Sequence, residues 1–124
     1  MLREETLTEG ILGAALEVHR ILGPGLLESA YQHALCHELD LRDIPFQSQV
    51  ELDITYKGLA LGSALRMDLV VRNTVIVELK SVEHILPVHS AQLLTYLRLT
   101  GHPVGLLINF NVSTLRNGIT RRAL

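Results

Sequence analysis

Cysteine is nearly absent from this chain: Cys36 stands alone among 124 residues. One thiol cannot staple a fold, which excludes a disulfide scaffold and makes Cys36, inside a helical stretch, a small buried hydrophobe rather than a nucleophile. Tryptophan is missing, and three tyrosines with two phenylalanines are too few for a platform on which single-stranded bases stack. Hydrophobic residues make up 48% of the chain, yet charges interrupt every apolar run. None approaches the roughly 18 residues that a membrane span requires, so no membrane partner is expected. The opening residues, Met-Leu-Arg-Glu-Glu-Thr, carry two acids and no apolar core of the signal-peptide kind, so a cytoplasmic, reducing setting is expected. No Gly-rich phosphate loop and no G-x-S-x-G nucleophile motif is found.

Basic charge is not in excess either. A net charge of -2 does not by itself point to nucleic acid. Its distribution says more: residues 1–53 sum to -7 and residues 54–124 to +5. Two of the acids in the second part are Asp68 and Glu78, and the tail carries Arg116, Arg121 and Arg122 without an acid. Such asymmetry favours an anionic partner modestly. The length fits one domain spanning 1–124, with room for a core and none for a second.

What the chain does have is a polar trio in an apolar ribbon. From Leu65 to Lys80 the sequence reads as two short strands joined by a tight turn. Leu65, Met67, Leu69 and Val71 alternate with Arg66, Asp68, Val70 and Arg72. In the second run Val75, Val77 and Leu79 alternate with Glu78 and Lys80. A three-residue loop, Arg72-Asn73-Thr74 with Asn73 left-handed, pairs Val71 with Val75. Asp68 then lies opposite Glu78, where two carboxylates repel and burial adds desolvation. Lys80 or a divalent metal is the compensating cation. In the same register Arg66 lies opposite Lys80 on the face of Asp68, to pair with an active-site carboxylate or contact a phosphate, or else to form an edge salt bridge.

The rest of the chain frames this hairpin. Thr8 is placed to cap a helix over 9–22 with Ile11, Leu12, Ala15, Leu16, His19 and Leu22 on one face, ended by Gly23-Pro24-Gly25. A second helix over 26–41 turns Leu27, Ala30, Tyr31, Ala34, Leu35 and Glu38 inward. Val50 to Tyr56 reads as a strand with one wet face, followed by a Lys57-Gly58 turn. Pro87 suits the first position of a helix carrying Ala91, Leu94, Leu97 and Arg98 and ending at Gly101, with Leu93 and Tyr96 at the edges of the stripe. Val104 to Phe110 is a strand covered on both faces. Residues 111–124 have no assignment. The order implies an α/β fold, a mixed central β-sheet of about four strands flanked by helices.

Asp68 and Glu78 offer hard oxygen ligands suited to Mg²⁺ or Mn²⁺, and the Leu79 carbonyl can add a third. A bound metal acidifies water and stabilises charge on a phosphate, and Lys80 would orient that water or offset the phosphate charge. Spacing alone does not separate this site from a cross-strand salt-bridge cluster. His33 and His37, four apart on the second helix, have zinc spacing but no third ligand in a recognised pattern. His84 and His89 flank a helix start and read as surface residues or phosphate contacts.

Further residues separate the two readings. Gly25-Leu26-Leu27-Glu28-Ser29-Ala30-Tyr31, the hairpin, and Gln92 with Tyr96 one turn apart on the next helix together resemble the GxxExxY family of the PD-(D/E)XK nuclease superfamily. Glu17-Val18-His19-Arg20, Pro87-Val88-His89-Ser90-Ala91-Gln92 and Gly105-Leu106-Leu107-Ile108-Asn109-Phe110 look like that family too, so the resemblance spans about residues 8 to 120. It implies a restriction-endonuclease-like core and metal-dependent cleavage of nucleic acid, DNA in the first instance. It implies that Glu28, Asp68 and Glu78 bind the metal, that Lys80 serves the chemistry, and that Gln92 and Tyr96 match the Gln-X3-Tyr motif positioning site and DNA in RecB-like nucleases. Met67 stands where the superfamily's namesake proline would be. The alternative is a non-catalytic nuclease-fold module that binds nucleic acid or a protein partner. A homodimer would double the surface offered to a duplex.

Overall fold

The computed structural model describes residues 4–124, with backbone alone at positions 63 and 64. Met1–Arg3, which open the segment read as lacking a leader, lie outside the described residues. Two helices come first, α1 (Glu5–Leu22) and α2 (Glu28–Leu41). Then follow strands β1 (Phe46–Tyr56), β2 (Leu59–Val71) and β3 (Val75–Lys80), helix α3 (Pro87–Thr100), strand β4 (Val104–Asn109), a 3-10 turn (Leu115–Gly118) and strand β5 (Ile119–Ala123). The strands form one sheet in chain order, antiparallel except for the parallel pair β3–β4 that α3 connects. The expected four strands become five, because the arginine-rich tail pairs with β4 as β5. No helix among the described residues is long and apolar enough to cross a membrane.

The sheet is covered on both sides. Ile11, Ala14, Ala15 and Val18 of α1 and Tyr31, Leu35 and Leu39 of α2 pack on Leu69, Val71, Val75, Val77, Leu79, Leu106 and Ile108. Leu93, Tyr96 and Leu97 of α3 pack on the other face against Met67, Val70, Ile76 and Leu107. Every residue of β4 is buried, as its unbroken apolar run requires.

The expected helix faces hold in part: Ile11, Ala15 and His19 of α1, Tyr31 and Leu35 of α2 and Leu97 of α3 are buried, while other positions of those stripes are not. In α1 the buried stripe runs through Ala14 and Val18, while Leu16 and Leu22 are exposed. Thr8 is no cap: α1 starts three residues earlier, and the buried Thr8 hydroxyl donates to the Glu5 carbonyl at 2.9 Å inside the helix. Leu27, expected inward on α2, is 78% exposed because it is the residue before that helix begins. On α3, Leu93 and Tyr96 are fully in the core, and Ala91 and Arg98 face out. Small residues such as Ala14 let a helix approach the sheet closely, which a ranking by hydrophobicity alone misses.

Close approach also fixes the tail. A Cβ on Gly118 would collide with the Asn109 carbonyl oxygen and lie 3.1 Å from the Val112 side chain. Both obstacles belong to the turn that returns β5 to the sheet, and backbone cannot give way cheaply. Gly118→Ala is expected to cost about 1–3 kcal/mol, read as a lowered urea midpoint.

Candidate active site

The β2–β3 hairpin holds the expected register: Val71 pairs with Val75, Val70 with Ile76 and Leu69 with Val77. Its turn differs in detail. Both Arg72 (φ 49°) and Asn73 (φ 52°) are left-handed, as a type I′ turn demands, and the Thr74 N–H donates to the Val71 carbonyl at 3.0 Å. Beyond Leu69 and Val77 the regular ladder stops, and side chains take its place. The Asp68 N–H donates to Glu78 Oε1 at 3.0 Å, and the Leu79 N–H donates to Asp68 Oδ2 at 2.8 Å.

Asp68 therefore lies between the two strands, and the alternation of β2 slips at this point. Leu69 and Val71 pack towards α1 and α2, yet Met67 and Leu65 both join α3. β1 slips at the same level. Phe46 packs with the first group and Val50 with the second, and Gln49 between them is left-handed at φ 52°. The Asp68 carbonyl accepts a hydrogen bond from Gln32 Nε2 of α2 at 3.2 Å. The slip corrects the reading of Arg66: it does not share a face with Asp68 opposite Lys80. It forms the edge salt bridge of the other reading, 3.7 Å from Glu51 of the edge strand β1, with both side chains more than half exposed. Such a pair contributes little to stability.

On β3 the expected faces hold. Leu79 is in the core under α1 and α2, while Glu78 follows Ile76 on the side of α3, and Lys80 continues that alternation. Glu78 is 5% exposed. Burial first, and then the negative charge of Asp68, push its carboxyl up to about 8, while Lys80 pulls weakly the other way. Among the described residues Lys80 makes no ion pair with either carboxylate, so the salt-bridge cluster that competed with a metal site is not formed. Burial and the Asp68 charge instead favour the protonated form of Glu78.

The donors left over are all oxygens. Asp68 and Glu78 each commit one carboxylate oxygen to a backbone N–H and retain a second. The Lys80 carbonyl accepts from the N–H of Phe110, the residue after β4, at 2.9 Å, so by alternation the Leu79 carbonyl faces β2, beyond the last regular pair. Two carboxylates and a carbonyl around one gap suit Mg²⁺ or Mn²⁺, which keep several waters and need few protein ligands. Glu28 is not gathered into this gap. It is exposed at the first position of α2, and among the described residues no three His, Cys, Asp or Glu side chains stand close enough to hold a metal. The same holds for His33 and His37, both exposed, and His89 is a helix cap whose Nδ1 accepts the Leu86 N–H at 3.0 Å.

α3 closes the other side. The Tyr96 hydroxyl donates to the Arg66 carbonyl at 3.3 Å. Its burial, and then the charges of Glu78 and Asp68, push it up to about 12, so it stays a proton donor. Gln92 is half-buried one turn earlier.

Three further residues brace the site. Tyr31 stacks on Phe110 with centroids 4.5 Å apart, and its hydroxyl donates to the Gly23 carbonyl at 2.6 Å and accepts the Leu26 N–H at 3.1 Å. Gly25, at φ 100°, makes the bend that this bracket encloses. Ser81 Oγ donates to the Leu26 carbonyl at 2.5 Å. Asn109, 3% exposed, donates to the Val82 carbonyl at 2.9 Å and accepts the N–H groups of Val82 at 3.1 Å and Asn111 at 3.2 Å. Its signal was an amide inside an otherwise apolar run; Ser81 had none.

Comparison with curated proteins and with solved structures finds no significant match. A family model described as the PD-(D/E)XK nuclease superfamily matches residues 5–122, a span that takes in the hairpin, both flanking helices and the tail strand. With its Asp and Glu-X-Lys meeting where the ladder of β2 and β3 opens, the chain belongs to the PD-(D/E)XK nuclease superfamily.

Proposed function

We propose that this protein is a divalent-metal-dependent nuclease that hydrolyses DNA phosphodiester bonds, of the GxxExxY kind within its superfamily. One observation carries the reading: Glu78 is buried against Asp68, whose N–H it accepts at 3.0 Å, and among the described residues no cationic side chain pairs with either carboxylate. A pair of this kind costs stability unless a cation occupies it, and a fold with no use for one would gain by replacing either acid. The Gly25, Glu28 and Tyr31 of the family motif have distinct places here, as the bend, the exposed acid and the bracket of one loop.

Asp68, Glu78 and the Leu79 carbonyl would hold Mg²⁺ or Mn²⁺; Glu28, which the family resemblance adds as a ligand, stands exposed at the start of α2 outside this gap. When bound, the ion supplies an acidified water and charge stabilisation at the scissile phosphate. Lys80, two residues beyond Glu78 and in no ion pair among the described residues, offers its ammonium to the phosphate oxygens and to the attacking water. Tyr96 holds the Arg66 carbonyl and so braces β2 where the ladder has opened. Gln92 presents an amide to the substrate from the same helix face.

Incubation of the purified protein with Mg²⁺ or Mn²⁺ and single-stranded, duplex or branched DNA should give cleavage that EDTA stops. Failure on all three, with no Mn²⁺ uptake by calorimetry, would overturn the reading. Binding of DNA without cutting, metal present, would favour the non-catalytic module instead.

A further inference from the structure

We infer that the cavity between α2 and β1 takes one unpaired nucleobase of the DNA strand, held by hydrogen bonds to its edge. The inference rests on the nuclease reading above and names the form of DNA that it acts on. The cavity measures about 310 Å³ and is lined by Ser29, Gln32, His33 and Cys36 of α2 and by Ser48 and Gln49 of β1. Gln32 and Cys36 are half-buried and the other four are exposed, so the cavity opens to solvent. It adjoins the strand that carries Asp68. Gln32 donates to the Asp68 carbonyl at 3.2 Å, and Gln49 stands opposite Asp68, between the pairs Ser48–Leu69 and Val50–Met67.

Both walls depart from what packing alone would give. The four helical residues recur at i, i+3, i+4 and i+7, the spacing of a face that packs on a neighbour, where apolar side chains are the rule. On the strand, Ser48 and Gln49 are adjacent and by alternation would point to opposite faces, yet both line the cavity. The departure falls at Gln49, whose backbone is left-handed at φ 52°. The other left-handed non-glycine residues among those described lie in turns or just before α1, and Gln49 alone lies inside a strand. Glutamine has no special tolerance for that conformation, and such strain clusters where it places a functional group.

The lining sets the chemistry of the ligand. All six residues come from the part of the chain that sums to -7, yet none is acidic. None is lysine or arginine either, so phosphate is not the anchor. Hydroxyls, amides and an imidazole set donors beside acceptors, which is what base edges present: glutamine pairs bidentately with adenine, and serine adapts to any base. The volume is at the low end for ligand sites, about 300–1,000 Å³, and admits a base but not a duplex. A base within a duplex is stacked with its edge committed, so it must be unpaired to enter. Scarce aromatics remove a stacking platform and leave edge contacts as the means of holding a single strand. Through Gln32 the seated base lies next to Asp68, so cleavage falls close to an unpaired nucleotide.

The test is equilibrium binding in EDTA, where nothing is cut, of two labelled oligonucleotides of equal length, one of thymidine alone and one abasic throughout. Wild type should bind the base-bearing strand about tenfold or more tightly than the abasic one. Gln49→Gly removes the amide, and glycine accepts a left-handed backbone, so the urea midpoint should not fall. That variant should lose most of the preference while its affinity for the abasic strand stays as in wild type. Cys36, the only thiol of the chain, gives a second readout from the facing wall. Bound thymidine strand should slow its alkylation severalfold, and the abasic strand at equal occupancy should not. Equal affinity for the two strands, an undiminished preference in Gln49→Gly, or an unprotected Cys36 would each overturn the inference. If such a result comes with DNA cleavage that EDTA stops, the nuclease reading survives and only the base cavity falls. If the wild-type chain neither binds nor cuts DNA in any form, both fall together.

Discussion

Asp68→Asn should lower metal-dependent cleavage by at least about 100-fold, since groups that only orient metal ligands already cost 10–100-fold. The substitution is nearly isosteric. Its side-chain oxygen can still accept the Leu79 N–H that Asp68 accepts at 2.8 Å, and its backbone N–H still reaches Glu78. What disappears is one negative charge beside a buried acid. Folding should not suffer, and relief of the repulsion should leave the urea midpoint equal to or above wild type. Lys80→Ala provides the contrast, because its ammonium is assigned to phosphate and water rather than to the ion. It should lose cleavage while keeping Mn²⁺ affinity, whereas Asp68→Asn should lose both. Full cleavage by Asp68→Asn, or equal Mn²⁺ affinity in the two variants, would remove the assignment of Asp68 as a ligand.

The hairpin was legible in the sequence because its information is local. A period of two places Glu78 and Lys80 on one side of a strand, and the loop length fixes Val71 against Val75. The slip at Asp68 was not legible. Strict alternation predicts that Arg66 shares the face of Asp68, and nothing in the letters shows that Asp68 would turn into the gap between strands or that Gln49, on the neighbouring strand, would go left-handed at the same level. Both are answers to a tertiary demand: a carboxylate that bonds the backbone of Leu79 must lie in the plane of the sheet, and the strand beyond it resumes on the opposite face. The helix ends held and the faces held in part; the starts of α1 and α2 and single positions of each stripe differ for a related reason. Leu16 and Leu22 are as apolar as Val18, but only the packing of α2 and the sheet against α1 decides which of them is buried.

β5 shows the limit of pattern from another side. Ile119–Ala123 carries two arginines and has neither a long apolar run nor a clean alternation, so no strand signal exceeds background. It forms because β4 presents a full row of backbone groups and Gly118 lets the chain turn back onto it. The roles of Ser81 and Asn109 are not readable for the complementary reason, although Asn109 at least stands out as an amide in an apolar run. A single hydroxyl or amide has meaning only through the backbone it meets, and those partners, Leu26 and Val82, are 55 and 27 residues away in the chain.

Glu78→Gln should stabilise the metal-free protein at alkaline pH and have little effect in acid. In the native state the Glu78 carboxyl is raised to about 8, against an ordinary value of 4.5. Between those values the native state keeps a proton that the unfolded chain has released, so native binding exceeds unfolded binding and stability falls as pH rises through the window. Below it, both states are protonated and the difference vanishes. Each tenfold gain in proton affinity on folding is worth about 1.4 kcal/mol, so the loss is on the order of several kcal/mol once pH exceeds the native value. Glutamine has no proton to lose, so its thermal midpoint in EDTA should decline less from about pH 5 to about pH 9 than that of wild type. A divalent ion should act in the opposite sense on the wild-type chain. It replaces the proton, so the rise in thermal midpoint on adding Mg²⁺ or Mn²⁺ should grow with pH, and Glu78→Gln should show little rise at any pH. Thermal melts at several pH values, with EDTA and with Mn²⁺, read all of this from one variant. Parallel pH curves for the two proteins would show that Glu78 does not carry the retained proton, and the electrostatic case for a cation between Asp68 and Glu78 would go with it.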